Sequence, residues 1–462
     1  MKSIFIGIDT FNFIYHQGLI PHYMHDSPSQ LISPSYQNIV IIGYVWPEPK
    51  SSAAGSRMMQ LISYFKERAC QVIFASPAAL GEHRTQLADI GVLEQAITLN
   101  SDSFDVWIKE INPDLVLFDR FMMEEQFGWR VEQQCPQCIR ILDTEDLHSL
   151  RLARHTNLKQ VIANGGEFDT NFADSAKLYT NMQSQDVCQR EISAIYRCDL
   201  SLMISSFEID LLTTQFSLPQ QLLLHLPFML EPLTYKEQKN ALPSFQDRQH
   251  FVTIGNFRHA PNWDSVLWLK KDIWPKIRAA LPSAQLHIYG AYPAKKVTDL
   301  HNPKQGFYIE GWADSAVDVL KNARICLSPL RFGAGIKGKF TDAMQTLTPS
   351  VTTAVGIEAM TADKAWPGKV ANTSQSISEA AIELYQSALL WQRASERCDD
   401  IIDSCYNKKE LSLQLDLALL NLQHNLAAFR AANFTGTMLR HHHHKSTKYM
   451  AQWIEAKNNS CC

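Results

Sequence analysis

Gly333, Gly335 and Gly338 stand close together with Lys337 and Lys339 interleaved. Glycines let the backbone approach a ligand closely, and free N–H groups at the start of a helix favour an anion. Two ammonium groups add charge to the same spot, so this cluster suits the binding of phosphate. A second group of polar residues, Asp143, Glu145, Asp146 and His148, lies in DTEDLHSLRLAR. It could include a general base or a clamp for sugar hydroxyls. The alternative is helix capping, with Asp146 or Thr144 as N-cap and the early acids favoured by the helix dipole. Gly55, in the small-residue loop SSAAGS, is either a ligand contact or a tight turn. Lys339 and Asp342 have i, i+3 spacing and could instead pair on a helix surface.

The elements that must position these residues are readable from periodicity. Ile325 to Leu327 is a short apolar run suited to a buried strand, while Phe340, Ala343, Met344 and Leu347 recur at helical spacing. Thr348, Pro349 and Ser350 stop that helix, and Val351 to Val355 reads as the next strand. The glycines and lysines therefore fall at a strand-to-helix junction. Upstream, strands are expected at Asn38 to Trp46, Gln71 to Ala75, Asp114 to Phe118, Arg140 to Leu142, Asp199 to Ser205 and Leu222 to Leu226. An amphipathic helix follows SSAAGS to about Arg68. The pattern restarts with HFVTIGNF, then a turn holding His259, Pro261, Asn262 and Trp263, a helix from Asp264 to Leu269, and strands at Ala284 to Tyr289 and Phe307 to Glu310. Helices are expected from Ser378 to Leu390, at roughly 410 to 432 and at 446 to 457.

A chain of 462 residues exceeds one ordinary core and suggests roughly two or three domains. The divisions expected are an extension at 1–35, a first domain at 36–232, a linker at 233–249, a second domain at 250–405 and a helical tail at 406–462. The net charge of -4 gives no overall basic character, so nothing global suggests a nucleic-acid or polybasic membrane protein. Ten cysteines without regular spacing do not make a disulfide framework, so the reducing cytoplasm is the expected compartment. The start, MKSIFIGIDTFNFIYH, lacks the pattern of a secretory signal, and no run of about 18 apolar residues suggests a spanning helix. A soluble protein, or one peripherally associated with the inner membrane, is expected.

Three motifs carry less. Cys135-Pro136-Gln137-Cys138 has redox spacing but precedes a strand, whereas a thioredoxin-type pair opens a helix after one, so two ordinary thiols are expected. His441 to His444 reads as a solvated turn. Cys461 and Cys462 match no recognised lipidation motif.

GNFRHAPNWDSVLWL (255–269), HIYGAYP (287–293), FYIEGW (307–312), and SPLRFGAGIKGKFTDAM followed by PSVTTAVGIE resemble a retaining glycosyltransferase of the bacterial group 1, often called family 4. That resemblance implies an α/β GT-B fold: two Rossmann-like doubly wound parallel-sheet domains facing across a cleft, with a C-terminal crossover helix packing back on the first domain from about residue 440. It also implies transfer of a sugar from a nucleotide-sugar donor to a glycan, lipid-linked or other acceptor, with retention at the anomeric carbon. The donor would lie across the second domain, contacted by Gly55, Arg258, Gly311, Gly333, Gly335, Lys337, Lys339, Asp342 and Glu358. Glu145, Asp146 and Lys337 are the catalytic candidates. No cofactor is implied beyond the donor substrate, and no metal, since no Asp-x-Asp motif stands on a suitable loop. Asp342 occupies the second acid of the family's Glu-x7-Glu motif, the residue that usually holds the donor ribose. The first acid falls at Ala334, the usual arginine beside the glycine is Asn256, and the histidine many relatives carry before an aspartate is Glu145. Ala334 and Glu145 motivate an alternative, a catalytically impaired member that binds nucleotide sugar or a partner; a third reading is a GT-B sugar-nucleotide epimerase, which would release free nucleotide without needing an acceptor.

Overall fold

The computed structural model describes residues 36–232 and 241–460. The expected extension at 1–35, the first half of the linker and the terminal Cys461 and Cys462 lie outside the described residues.

The first domain is a seven-stranded parallel sheet of β1 (Asn38–Ile42), β2 (Gln71–Ser76), β3 (Leu93–Ala96), β4 (Leu115–Asp119), β5 (Ile139–Asp143), β6 (Leu200–Met203) and β7 (Leu223–His225), in the order β3-β2-β1-β4-β5-β6-β7. Its strands are apolar on both sides because both faces are covered. Ile39 and Ile41 point into one core and Val40 and Ile42 into the other, as a period of two requires. Helices α1 (Ala53–Glu67), α2 (Phe121–Gln134), α3 (His148–Ala163), α4 (Asp186–Arg197) and α5 (Ser206–Thr214) follow individual strands or cover a face.

The second domain repeats the plan with β8 (Gln249–Ile254), β9 (Leu286–Tyr289), β10 (Phe307–Gly311), β11 (Ala323–Leu327), β12 (Ser350–Thr352) and β13 (Gly368–Val370), all parallel, in the order β10-β9-β8-β11-β12-β13. Part of the expected linker belongs to this body. Arg248 is fully buried and donates to Thr348 Oγ1 at 2.6 Å and to the Thr346 carbonyl at 2.8 Å, and Gln249 opens β8. Helix α6 runs Ala260–Trp268, so the expected turn there is helical. Proline is tolerated in a first turn, where its missing N–H is not needed, and Pro261 starts the helix early. Helix α7 (Gly338–Gln345) links β11 to β12. The strand expected to run to Val355 stops at Thr352, because Thr353 caps a helical turn, Ala354–Ile357, by accepting the Gly356 N–H at 3.2 Å.

Two helices, Ser374–Gln386 and Ala388–Cys405, replace the single one expected at 378 to 390. The chain returns to the first sheet in α8 (Lys408–Ala432), well before residue 440: Leu415, Leu419 and Leu422 fill the same core as Ile39 and Ile41. Arg430 then pairs with Asp199 at 2.8 Å and donates to the carbonyls of Pro136 and Cys138. The Cys135–Cys138 turn is thus a docking point for α8, with both thiols buried. Helix α9 (Phe434–Ser460) packs on α4 and α2 and runs unbroken through His441 to His444, where a solvated turn was expected. No glycine or proline interrupts the chain after Gly436, and histidine is compatible with a helix. Among the described residues no helix is long and apolar enough to cross a membrane.

Candidate active site

Each sheet builds outward in both directions from its first strand, and in such sheets ligands bind beyond the carboxyl ends of the strands at that switch point. The loops after β1, β4 and β5 face the loops after β8 and β11 across a cleft of about 1060 Å³.

On the second-domain side, the glycine loop leads from β11 into α7. Gly335 has φ +62°, and a Cβ there would lie 2.9 Å from Asp146 Cβ, so only glycine fits both the backbone and the neighbour. A Cβ on Gly338 would lie 2.7 Å from Ala53 Cβ, so the start of α7 abuts the start of α1. Two helix N-termini therefore converge on the cleft, and both favour negative charge. Lys337 Nζ donates to the Gly335 carbonyl at 2.8 Å and Lys339 Nζ to Asn262 Oδ1 at 2.8 Å. Lys339 is thus held by Asn262, not by a surface pair with Asp342. Burial pushes each lysine down to about 8, opposed at Lys337 by Glu358. Asp342 lines the same wall, and burial raises its carboxyl to about 7.

On the first-domain side, Glu145 is buried at the cleft wall with φ +60°, a strained conformation for a non-glycine residue and one that clusters at functional sites. Burial, and then the charge of Asp143, push it up to about 8; its Oε1 has no partner among the described residues. Its neighbour behaves oppositely. Burial raises the Asp146 carboxyl, but Arg151, which bonds it, and His148, 3.8 Å away, outweigh that and hold it below the usual carboxylate range. Asp143 itself is buried away from the cleft against Arg57 at 2.9 Å. The capping expectation is corrected: Leu147, not Thr144 or Asp146, is the N-cap of α3. The orphan N–H groups of His148 and Ser149 are accepted by Glu191 at 2.6 and 3.0 Å, and that of Leu147 by Glu208 at 3.3 Å.

The remaining candidates divide. Gly55 lines the cleft, but its N–H is taken by Ser52 Oγ and a Cβ would lie 2.4 Å from the Glu48 backbone, so close packing accounts for the glycine. Arg258 lines the cleft and lies over the Tyr292 ring at 3.6 Å, where a side chamber of about 260 Å³ shared with Glu48 and Trp46 adjoins it. Gly311 ends β10 with φ +76°, accepts the Gly290 N–H and lies off the cleft wall. Glu358 is also off the wall, half-buried in a bidentate pair with the buried Arg154 at 2.7 and 2.8 Å. Ala334 lines the cleft and presents no side-chain oxygen.

Four residues were missed. Asp119 ends β4 and Arg120 follows it at the cleft wall, and the DLVLFDR run could have pointed to them, because strand carboxyl ends bind ligands. Arg154 and Glu208 brace the glycine loop from the opposite domain: Arg154 donates to the Gly333 carbonyl at 2.8 Å, and Glu208 accepts the Gly335 N–H at 2.7 Å. These contacts span more than a hundred residues and leave no local signal.

Residues 248–387 match the family model described as glycosyl transferases group 1. No curated protein matches the chain. Among solved structures, the chain is similar to Anabaena HepE in complex with UDP and glucose (10% identity, 83% of this chain and 100% of that one, TM-score 0.60). It is similar as well to a glycosyltransferase from Rickettsia africae (10% identity, 84% and 99%, TM-score 0.58). Sucrose-phosphate synthase from Thermosynechococcus elongatus is a third (14% identity, 85% and 99%, TM-score 0.58). With its two facing parallel sheets, the chain has the GT-B fold, and the second of those sheets lies in the segment that matches the group 1 glycosyl transferases.

Proposed function

We propose that this protein transfers a sugar from a nucleotide-sugar donor to a glycan, lipid-linked or other acceptor, with retention of anomeric configuration and without a metal requirement. The observation that carries the reading is the meeting of two helix N-termini with Lys337 and Lys339 at the switch point of the second sheet. A nucleoside diphosphate leaving group develops charge on its oxygens, and these donors lie where that charge would form. Asp342, on the first turns of α7, is assigned to the donor ribose. Ionised Asp146 is assigned to sugar hydroxyls. Glu145, which changes protonation near neutrality, is assigned to proton transfer at the acceptor oxygen as that oxygen replaces the diphosphate at the anomeric carbon.

A second reading, a nucleotide-sugar-binding protein without transfer activity, is favoured by Ala334 alone. Thermal-shift screening against nucleotide sugars, followed by incubation with labelled donors, separates the two. Transfer or donor hydrolysis supports the enzyme; binding without either supports the second reading. Lys337→Ala and Asp342→Ala should each lose nucleoside diphosphate affinity. Wild-type affinity in both variants would overturn the placement of the donor.

A further inference from the structure

Helix α9 presents a large apolar and basic face to solvent that the catalytic reading does not use. Its opposite face is fixed to the first domain. A Cβ on Gly436 would lie 2.1 Å from the Tyr196 carbonyl, Arg440 is buried beside Glu132, Ala451 is buried, and Glu455 accepts the Asp102 N–H at 2.8 Å. That anchoring sets which residues point away. At 100° per residue, Phe434, Met438, Lys445, Tyr449 and Trp453 share the outward side. Phe434 is 74% exposed, Tyr449 64% and Trp453 59%. Tyr449, Met450 and Trp453, all more than half exposed within one helical turn, form an apolar patch of the kind that marks an interaction surface, with Phe434 and Met438 farther along the same helix.

The charge on the helix identifies the partner. Between Phe434 and Lys457, Lys445, Lys448 and Lys457 stand off the anchored side, while Arg440 and the single acid Glu455 are both held against the first domain, in a chain whose net charge is -4. The Lys457 ammonium lies 5.3 Å from the Trp453 ring, so cation and aromatic occupy the same edge of the face. Aromatic and aliphatic side chains flanked by lysines, on a helix too polar to span, are what an anionic lipid surface takes up in its headgroup region. A second copy of the chain fits less well, because a two-fold contact would set the same lysines against one another. We propose that the outward face of α9 docks the protein on an anionic membrane surface, the rings entering the interface and Lys445, Lys448 and Lys457 meeting lipid phosphates. This inference does not depend on the glycosyl-transfer reading.

The test is sedimentation of the full chain with vesicles of phosphatidylcholine alone and with vesicles containing phosphatidylglycerol. Binding is expected to the second only, and to weaken as salt rises. The triple variant Lys445→Gln, Lys448→Gln, Lys457→Gln should reduce vesicle partitioning on the order of a hundredfold, at about 1 kcal/mol for each lysine near the surface. Tyr449→Ser with Trp453→Ser should reduce it at unchanged charge. Melting temperatures should match wild type in both variants, since none of these side chains is buried, which separates lost docking from lost folding. Absence of sedimentation with either vesicle overturns the proposal. So does a wild-type dimer in light scattering that Tyr449→Ser with Trp453→Ser converts to monomer, which would assign the face to a second copy.

Discussion

Replacing Arg154 with methionine tests whether the glycine loop is held in place from the opposite domain. The Arg154 side chain is 1% exposed and makes four hydrogen bonds: two to Glu358, one to the Gly333 carbonyl and one to the Phe172 carbonyl at 3.0 Å. Methionine keeps the apolar stem and removes every donor. What remains is a Glu358 carboxylate, 8% exposed, with no counterion in its pair and a Gly333 carbonyl without its donor. Breaking one side of a buried ion pair costs about 3–5 kcal/mol, mostly as the penalty of the orphaned charge. At about 2 cal/mol/K of unfolding entropy per residue, that is a fall in melting temperature of roughly 3–5 °C if both domains melt together. Adding Glu358→Gln removes the stranded charge, so the double variant should be more stable than Arg154→Met alone, with a coupling of about 1–3 kcal/mol in the cycle. Calorimetry on the four proteins reads both quantities. A single variant within about 1 °C of wild type, which is about 1 kcal/mol and below the smallest cost expected, or a double variant no better than the single, would refute the bracing role.

Other expectations follow from the same geometry. Glu208 is fully buried, and burial followed by repulsion from Asp146 raises its carboxyl from 4.5 to about 8. A raised folded value means the stability this group contributes is complete below 4.5 and is lost as pH rises through 8. Glu208→Gln keeps an acceptor for the Gly335 N–H and cannot ionise, so it should be the more stable protein at pH 7 by on the order of 3 kcal/mol, converging with wild type near pH 4; a lower melting temperature than wild type at pH 8 counts against the assignment. Gly335→Ala should destabilise by about 1–2 kcal/mol and weaken nucleotide binding, from φ +62° and the Asp146 contact, while Gly333→Ala, whose nearest neighbour is 3.8 Å away, should be tolerated. Equal melting curves for the two would contradict this. Lys337 and Lys339, held near 8, lose charge as pH rises past that value, so nucleoside diphosphate affinity should fall there and binding should take up protons between roughly pH 7 and 9. Calorimetric titration in buffers of different ionisation enthalpy measures the uptake, and pH-independent affinity would separate these lysines from the phosphates.

The sheets were largely legible because their central strands are apolar on both faces and long enough to stand out: NIVII, LVLFD and ARICL all appear close to where composition placed them. The edge strands β3 and β13 were not, since LEQA and GKV carry polar residues that a buried strand would exclude. The glycine loop was legible from its clustered glycines and lysines at a strand-to-helix junction, although the close contacts that require glycine at 335 and 338 are to Asp146 and Ala53 of the opposite domain. The caps were not. The donors at the start of α3 are satisfied by Glu191 and Glu208, residues 42 or more positions away, and a rule that looks a few residues upstream chose Thr144 or Asp146 instead. Glu358 was readable as an acid near the loop, but its partner Arg154 lies 204 residues earlier, so its structural role was hidden.

The opposite shifts on the two walls of the cleft have one cause. Polar contacts join the domains around it: Asn256 to Ser51 at 3.1 Å, Tyr292 to Glu48 at 2.9 Å, Ser374 to Glu167 at 2.7 Å, and Arg154 and Glu208 to the glycine loop. By bringing the walls together they remove water from both. Desolvation disfavours whichever form is charged, so lysines fall and carboxylic acids rise: Lys337 and Lys339 come down to about 8 while Glu145 goes up to about 8. Among the described residues neither lysine is in an ion pair: Glu358 only opposes the shift at Lys337, and on the first-domain wall Asp146 is already paired with Arg151 and the charge on Glu145 is suppressed. Under the proposed function a diphosphate supplies a counterion, and the contacts that desolvate the lysines are the ones that strengthen their attraction to it. Closure and donor binding would therefore reinforce each other, with Arg154 and Glu208 linking the loop proposed to hold the phosphate to the domain proposed to hold the acceptor.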